Sequence, residues 1–404
     1  MAVALQGISF NAVYSSPLQR AKQTAEIIVS ELASSDRPAP ASEPLELLRE
    51  IDLPLWEGLL RDEVIEKYPD QYRLWKERPH ELSMMTPSGE HFPVLALHEQ
   101  AKKFWEDILT RHPDETILVV AHNGINRCLL STALGIAPER YHCIQQSNCA
   151  ISVLNFAGSL GDTVQLESMN LTAHTGEKMP KPRRDHHGPR LLLVRHGETE
   201  WNRNQQFQGQ IDIPLNENGK KQAQDAAEFL QDIQIDSAVS SPLLRPKETA
   251  EIILQPHPEV TLQLDAELKE ISHGLWEGKF ESEIEAEFPG MLDEWKTAPE
   301  TVQMPDGENL QDVWNRAIPA WKAIVESTPP NTTCLVVAHD AINKAVMCHL
   351  FGLGPENFWN FKQGNGSVTA IDYPQGADGL PVVESANITS HLGGILDKTA
   401  AGAL

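Results

Sequence analysis

Short apolar runs alternate with longer amphipathic stretches in the second half of the chain. LLLV at 191–194 and CLVVAH at 334–339 lack polar alternation, which is typical of strands covered on both faces in a parallel sheet. Residues 216–233 and 341–352 instead space their apolar positions for one helical face, and Gly352 gives the second helix a stop. Strands that alternate with helices predict an α/β sheet with helices on both faces.

Two further segments continue this alternation. SAVSSP at 237–242 predicts a strand that runs into a turn, and RPKETAEIIL at 245–254 predicts a helix. Polar residues follow the ends of the three predicted strands: Arg195, His196, Ser240, Ser241 and His339. Because ligands of such sheets bind beyond the carboxyl ends of the strands, we expect these side chains to meet at one edge.

The chain contains this pattern twice. SSPLQRAKQTAEIIV at 15–29 returns at 240–254 with eleven of fifteen positions identical. LVVAHNGIN at 118–126 returns as LVVAHDAIN at 335–343, and the offset between the copies falls only from 225 to 217. A conserved order with a nearly constant offset predicts two lobes of one fold.

The two lobes are unequal. By the first offset, Met1 corresponds to residue 226, so the second lobe carries about 36 residues, with the RHG tripeptide among them, that the first lobe lacks. The first lobe keeps Arg20, Glu50 and His122. We therefore expect it to be inactive and to have a sheet edge that is exposed or covered by neighbouring chain. Either the true start lies upstream, or this lobe is a degenerate packing partner.

Four segments follow from the repeat and from local composition. The predicted divisions are a truncated first lobe at 1–174, a linker at 175–189, a complete second lobe at 190–393 and a tail at 394–404. The linker is rich in Pro, Gly and charge, and the tail is expected to be frayed. A metal or nucleic-acid role for His186 and His187 is a weaker hypothesis than a plain linker, because no second ligand cluster accompanies these histidines.

Composition narrows the possible partners. The net charge of −24 repels nucleic acid and anionic membranes, so an anionic ligand requires a local cationic pocket. No apolar run approaches the ~18 residues of a membrane span, and the N-terminus does not resemble a secretory signal. The five cysteines form no CxxC pair, which favours thiols in a reducing cytoplasm over disulfides or zinc.

The strand-end segment RHGETEWN at 195–202 offers the first candidate chemistry. A histidine at the mouth of a buried strand can attack phosphorus through a ring nitrogen, and Gly197 would let the backbone approach a ligand closely. Arg195 and Arg245 are planar cationic forks that match phosphate oxygens in bidentate fashion. A surface ion pair explains Arg195 poorly, because this residue ends an apolar strand.

Two further side chains complete the candidate site. Glu270 could protonate a leaving alkoxide and then activate water, since one carboxyl can serve as acid and base in turn. Burial beside Trp276 would raise its pKa, although Glu277 competes for the same role. His339 could stabilise charge on a transferred group, but a core histidine bonded to backbone fits its position equally well.

Four motifs in one order then resemble a known family. RHGETEWN, SSPLLRPKETA at 240–250, the LKE…GLWEG segment at 268–278 and VVAH at 336–339 together resemble the phosphoglycerate mutase-like branch of the histidine phosphatase superfamily. The resemblance covers 190–392, and the first lobe from its second strand onward. It implies an α/β fold of two tandem three-layer α/β/α domains with mostly parallel sheets.

The resemblance also implies roles. His196 would be the phosphohistidine nucleophile and Glu270 the acid/base, while the phosphate pocket would comprise Arg195, Asn202, Arg245 and His339. No metal or cofactor is implied, in keeping with the lack of a DxD-type carboxylate cluster in these motifs. The family commonly has a small residue or Asn after the second histidine, where this chain has Asp340. We expect Asp340 to point away from the phosphate or to pair with a base.

Three functions remain open from the sequence. Hydrolysis of a small phosphorylated metabolite, of the phosphoserine or sugar-phosphate type, is favoured because only 34 residues separate Glu270 from Pro305, which predicts a short lid and a wet site. A cofactor-dependent phosphoglycerate mutase would need a longer insertion. A regulatory or scaffolding pseudoenzyme is the third reading, above all for the first lobe. The candidate substrate contacts of the lid at 279–308 are Lys279, Glu281, Trp295 and Lys296.

Overall fold

A computed structural model describes residues 1–33, 40–87, 89–182 and 186–399. The first part of the chain contains the strands β1 (Ala12–Ser15), β2 (Ser42–Pro44), β3 (Met84–Thr86), β4 (Gly89–His91), β5 (Ile117–Val120), β6 (Ile151–Phe156) and β7 (Val164–Leu171). Its helices are α1 (Gln19–Leu32), α2 (Arg61–Lys67), α3 (Pro69–Glu77), α4 (Pro93–Arg111) and α5 (Asn123–Leu134). Strands and helices alternate, as the repeat predicts.

The second part repeats this order and adds elements before it. Its strands are β8 (Arg190–Arg195), β9 (Ser237–Ser240), β10 (Leu262–Leu264), β11 (Thr333–Ala338), β12 (Val368–Asp372) and β13 (Val382–Ile388). Its helices are α6 (Glu200–Asn204), α7 (Glu217–Leu230), α8 (Leu244–Ile253), α9 (Glu281–Glu287), α10 (Met291–Thr297), α11 (Leu310–Ser327) and α12 (Asp340–Phe351). The predicted strands and helices are all present, and Gly352 ends α12 in the left-handed conformation.

The second sheet has a parallel half that carries the site. Its order is β10-β9-β11-β8-β12-β13-β7-β6, with parallel pairing from β10 to β8 and antiparallel pairing from β8 to β13 and on to β7. All six residues of β8 are buried, which explains its lack of polar alternation. Leu192 and Val194 pack with Phe229 of α7 and Ile253 of α8 in one core. The predicted α/β class is confirmed.

The first sheet reproduces the second in register. Its order within the described residues is β2-β1-β5, all parallel. Val13 pairs with Leu118 just as their counterparts Ala238 and Leu335 pair in the second sheet. Three of the four β5 residues are only half-buried, whereas five of the six β11 residues are buried. The expectation of a partly exposed edge in the first lobe is therefore confirmed at β5.

The strands β6 and β7 belong to the second sheet, although they follow the first lobe in the sequence. Strand β7 pairs antiparallel with β13, and Met169 lies opposite Ala386, its own counterpart in the repeat. The two compact units are residues 1–150 with 156–164, and residues 151–155 with 165–404. These units divide the chain around β6 and β7, because β7 pairs with the second sheet, and the four predicted segments stay a prediction.

Two equivalent asparagines fix this pairing. Asn170 donates through Nδ2 to the Glu384 carbonyl, and Asn387 donates through Nδ2 to the Glu167 carbonyl. Each donor–acceptor distance is 2.6 Å. Both asparagines have positive φ, of 56° and 51°, a conformation that asparagine tolerates better than most residues. The reciprocal contacts explain why the NLTAH and NITSH segments both keep asparagine.

The linker and the tail are more ordered than their composition suggests. Met179 is buried in the core of the second unit, and any side chain at Gly188 would meet the Tyr373 carbonyl at 1.8 Å. Asp397 accepts from Asn387 and donates its own N–H to Glu167, so the prediction of a frayed tail is wrong up to residue 399. The linker residues 183–185 and the tail residues 400–404 lie outside the described residues.

The described helices and the buried cysteines bear on possible membrane and redox roles. Among the described helices, none combines the length and the apolar character that crossing a bilayer demands. Burial raises the pKa of the Cys128, Cys334 and Cys348 thiols, which lie in the interior as inert core groups.

Candidate active site

The ends of β8 and β11 and the start of α8 bring three predicted residues together. Arg245 Nε lies 3.2 Å from His196 Nε2, and the His196 and His339 rings meet edge to face with centroids 5.1 Å apart. His196 Nδ1 lies 2.7 Å from the Gly197 carbonyl, which can only accept, so Nδ1 carries the proton. The Nε2 lone pair therefore faces Arg245, and this nitrogen is the candidate nucleophile.

Arg245 is a buried cation held by backbone. Its Nη2 donates to the Gly209 carbonyl over 2.7 Å and its Nη1 to the Ile211 carbonyl over 3.3 Å. Burial lowers the pKa of Arg245 to about 10, which still leaves it charged at neutral pH. Glu277 holds the same segment in place by accepting from the N–H groups of Gln210 and Ile211. Glu277 thus supports this loop, and the choice between Glu270 and Glu277 as the acid stays a prediction.

Arg195 is equally buried, at 2% exposure. Its Nη1 donates to the Gln363 carbonyl and lies 3.3 Å from Asp340 Oδ1. Its Nε has no partner among the described residues and remains available to an anion. Asp340 Oδ2 in turn lies 2.7 Å from Lys344 Nζ. The expectation that Asp340 pairs with a base is confirmed.

Glu270 is the carboxyl with the perturbed proton affinity. Its Oε1 accepts from the N–H of Ile271 at 3.0 Å and from Ala341 at the start of α12 at 3.2 Å. Burial, and then the charge of Asp340, raise the pKa of Glu270 to about 7, against the lowering effect of Arg245. A carboxyl that titrates near neutrality can give and take a proton, which suits an acid/base role.

Both histidines are neutral at physiological pH. Burial, and next the charge of Arg245, hold the pKa of His196 and of His339 well below the ordinary value. A neutral His196 keeps its Nε2 lone pair, as a nucleophile requires. His339 Nε2 lies 2.8 Å from Ser241 Oγ. The position of His339 beside His196 thus favours a role in the site over that of an isolated core histidine.

Asn202 lies close to the site through its loop. Its Oδ1 accepts from the N–H and hydroxyl of Thr199, which forms a capping box at the start of α6. It also accepts weakly from Asn365, which donates to the His196 carbonyl as well. These contacts make Asn202 a support of the nucleophile loop, and direct phosphate binding by its amide stays a prediction.

Thr249 is a site residue that the sequence analysis did not name, and Ser241 was expected at this sheet edge without a role in the site. Thr249 Oγ1 accepts from the Gly197 N–H and donates to the Arg245 carbonyl, so it ties the nucleophile loop to α8. The repeat carried a signal for both residues, since Thr24 and Ser16 occupy the equivalent positions in the first lobe. Thr24 likewise donates to the Arg20 carbonyl.

Gly197 is required by packing against α7. A Cβ at this position would lie 2.3 Å from the Gly219 carbonyl of α7. The loop therefore reaches its place beside α7 only with glycine here, and the close approach of a ligand to this backbone stays a prediction.

The site is less open than the short lid predicts. His196 is 2% exposed, and Arg245 and His339 are fully buried. The segment 209–211 covers Arg245, and Gln210 Nε2 also donates to the Glu270 carbonyl. The cluster is therefore more buried than the short lid suggests, because the segment 209–211 lies against the arginine, and access of water to the site stays a prediction.

The four predicted substrate contacts of the lid all have partners within the protein. Lys296 pairs with Glu281 at 3.0 Å, and Lys279 pairs with Glu287. Trp295 is fully buried, and its ring packs against Phe358, Trp359 and His273. These residues stabilise the lid rather than presenting free groups to a substrate.

The first unit keeps part of this arrangement. Glu50 accepts from the N–H groups of Gly124 and Ile125 at the start of α5, and Arg20 Nε donates to His122 Nδ1 over 3.1 Å. Asn123 stands in place of Asp340 and donates to the Gln146 carbonyl. Arg20, Glu50 and His122 therefore provide matched controls for Arg245, Glu270 and His339. No group of three or more His, Cys, Asp and Glu side chains in the described ranges is arranged to hold a metal ion.

Replacing Arg245 by lysine should weaken phosphate binding. Lysine cannot span Gly209, Ile211 and a phosphate with one planar fork, and a charged hydrogen bond contributes roughly 1.5–3 kcal/mol. We expect Arg245→Lys to raise the inhibition constant of inorganic phosphate at least about tenfold. Arg20→Lys is the matched control and should change it less than about twofold. Equal effects from both variants would show that Arg245 does not bind phosphate.

The fold and the cluster of histidine and arginine at its sheet edge indicate an enzyme of the phosphoryl-transfer class. The model of the histidine phosphatase superfamily (branch 1) matches residues 1–171 and 191–388. The chain therefore belongs to that superfamily, and the predicted membership is confirmed.

Named relatives place it among enzymes. The chain is 31% identical over 405 residues to the 2-carboxy-D-arabinitol-1-phosphatase of Triticum aestivum, covering 95% of this chain and 77% of that protein. It is 35% identical over 204 residues to phosphoserine phosphatase 1 of Hydrogenobacter thermophilus, covering 50% of this chain and 94% of that protein. It is 33% identical over 205 residues to a probable phosphoglycerate mutase of Cronobacter sakazakii, covering 50% and 94%. The chain is thus an enzyme of the phosphatase type, with mutases among its relatives.

Proposed function

We propose that this protein hydrolyses small phosphomonoesters through a phosphohistidine at His196. In the first step the Nε2 lone pair attacks phosphorus and the bond from phosphorus to the ester oxygen breaks. Glu270 in its protonated form gives its proton to the leaving alkoxide. Arg195 and Arg245 stabilise the charge on the transferred oxygens. The contact between Arg245 and His196 Nε2 is the observation that carries this assignment.

The second step regenerates the enzyme. The Glu270 carboxylate takes a proton from water, the water oxygen bonds to phosphorus, and the bond from phosphorus to Nε2 breaks. Inorganic phosphate leaves, and Glu270 is again protonated. A pKa of about 7 supports both halves of this cycle, because neither proton transfer is strongly uphill at neutral pH. No step calls for a metal or a cofactor.

The substrate class we infer is a small phosphorylated metabolite of the phosphoserine or sugar-phosphate type. Two relatives are named as phosphatases of such compounds, which supports this class. The cofactor-dependent mutase remains the second candidate, since the buried site restricts water and a relative is named a probable phosphoglycerate mutase. We also propose a cytoplasmic location, from the cysteine pattern, and no nucleic-acid or membrane partner, from the charge of −24.

Oxygen-18 water separates hydrolysis from mutase chemistry. We expect phosphate release from a panel of phosphoserine, sugar phosphates, 2-carboxyarabinitol 1-phosphate and 3-phosphoglycerate, with one labelled oxygen in each released phosphate. Rapid isomer exchange of 3-phosphoglycerate without phosphate release would instead establish the mutase.

For the first lobe we propose a packing role without its own turnover. Arg20 Nε already donates to His122 Nδ1, so the group equivalent to Arg245 is engaged with the second histidine of the motif. A phosphatase whose activity depends on Arg20 or His122 would contradict this proposal.

A further inference from the structure

A buried ion pair lies directly behind the site. Asp340 and Lys344 occupy successive turns of α12, their side chains are 3% and 5% exposed, and their charged atoms lie 2.7 Å apart. Lys344 Nζ also lies 4.7 Å from the Phe358 ring centroid and 4.3 Å from that of Trp359. An ammonium enclosed by two aromatic faces and a carboxylate has little freedom to move. Lys344 therefore fixes where the Asp340 carboxylate lies.

The fixed carboxylate meets two catalytic groups. Its Oδ1 lies 3.3 Å from Arg195 Nη1, which also donates to the Gln363 carbonyl. These two contacts leave Arg195 Nε, buried and without a described partner, for the phosphate. Glu270 accepts from the N–H of Ala341, the residue after Asp340, so both carboxyls share the start of α12.

We propose that the Asp340–Lys344 pair is a positioning element. Lys344 holds the Asp340 carboxylate in place, and this carboxylate orients Arg195 toward the phosphate and disfavours a second negative charge on Glu270. This inference rests on the proposed function of Glu270 as the acid. The first lobe serves as contrast, because it has Asn123 in place of Asp340 and Arg127 in place of Lys344. The pair thus belongs to the lobe that has the nucleophile.

The charged groups around Glu270 decide whether its pKa rises or falls when Asp340 or Lys344 is replaced. Four charged side chains interact with the Glu270 carboxyl: Asp340 and Lys344 of α12, Arg195 at the end of β8, and Arg245 of α8. Arg316 of α11 donates to the Glu270 backbone carbonyl. Asp340 is the anion of this set that raises the pKa of Glu270, after the effect of burial. Removing Asp340 should lower that pKa, and removing Lys344 should raise it.

Opposite shifts in two single variants test the proposal. We expect Asp340→Asn to move the carboxyl titration of Glu270 down by about one pH unit, and Lys344→Met to move it up. Infrared difference spectra against Glu270→Gln follow this titration without turnover. The alkaline limb of kcat/KM for phosphoserine should move in the same directions, because kcat/KM reports the free enzyme. The substrate's own ionisation is the same in every variant.

The double variant Asp340→Asn/Lys344→Met guards against misfolding, because it removes both charges of the Asp340–Lys344 pair together, while Arg195 keeps its bond to the Gln363 carbonyl. It should fold as the wild type does and titrate below it. Coincident titrations in all variants, or shifts of the two single variants in one direction, would overturn the proposal. Failure of the proposed function is a separate result, since it would appear as undiminished activity in His196→Ala.

Discussion

His196→Ala should abolish turnover, by roughly 10⁴-fold or more in kcat, because it removes the imidazole nitrogen that lies 3.2 Å from Arg245 Nε. The buried site should tolerate the substitution structurally, since alanine keeps the backbone bonds that anchor the loop. The chain provides its own control in His122→Ala, which removes the equivalent of His339 from the first lobe. We expect that variant to retain wild-type kcat within about twofold.

The measurement for this pair is steady-state phosphate release with the best substrate of the panel. Circular dichroism and thermal unfolding of both variants show whether the fold persists. Substantial activity in a folded His196→Ala protein would mean that phosphorus is attacked by another group or directly by water.

Glu270→Gln should produce a loss that depends on the leaving group. The glutamine carbonyl can still accept from Ile271 and Ala341, so the substitution removes the proton and preserves the contacts. We expect kcat/KM for phosphoserine to fall about 10²- to 10⁴-fold. For p-nitrophenyl phosphate it should fall far less, because a phenolate leaves without a proton.

The pH dependence follows from the same group. The first step needs neutral His196 and protonated Glu270, and the pKa of His196 is lowered while that of Glu270 is raised to about 7. Wild-type kcat/KM for phosphoserine should therefore decline as pH rises through about 7, and Glu270→Gln should lose this limb.

Two further substitutions are controls for the acid. Glu50→Gln alters the equivalent carboxyl in the first lobe and should be silent. Glu277→Gln disturbs the support of the segment 209–211 and should raise KM without dependence on the leaving group. A loss for Glu277→Gln confined to poor leaving groups would move the acid role from Glu270 to Glu277.

Much of the site could be predicted because its chemistry lies at strand ends. Arg195, Ser241 and His339 each follow an apolar run, and parallel strands place such ends at one edge. The repeat supports the choice of Arg245 as a site residue, because Arg20 occupies the equivalent helix position in the first lobe. Local pattern and sheet topology therefore suffice to gather these residues.

Other features depend on contacts that no local pattern encodes. The pairing of β7 with β13 depends on the strand register and on reciprocal asparagine contacts between residues more than two hundred positions apart in the sequence. The closure of the segment 209–211 over Arg245 depends on Glu277, which sequence reasoning treated only as a rival acid. Asn202 was assigned to phosphate by resemblance, whereas its Oδ1 is engaged in the capping box with Thr199.

The central claim is a covalent bond between phosphorus and one imidazole nitrogen. Rapid quenching with base during turnover of ³²P-labelled substrate, followed by peptide mapping, tests it most directly. We predict acid-labile, base-stable label on the peptide that contains His196, and none in His196→Ala. Label on a different residue, or full turnover with no labelled protein at any time point, would contradict the account.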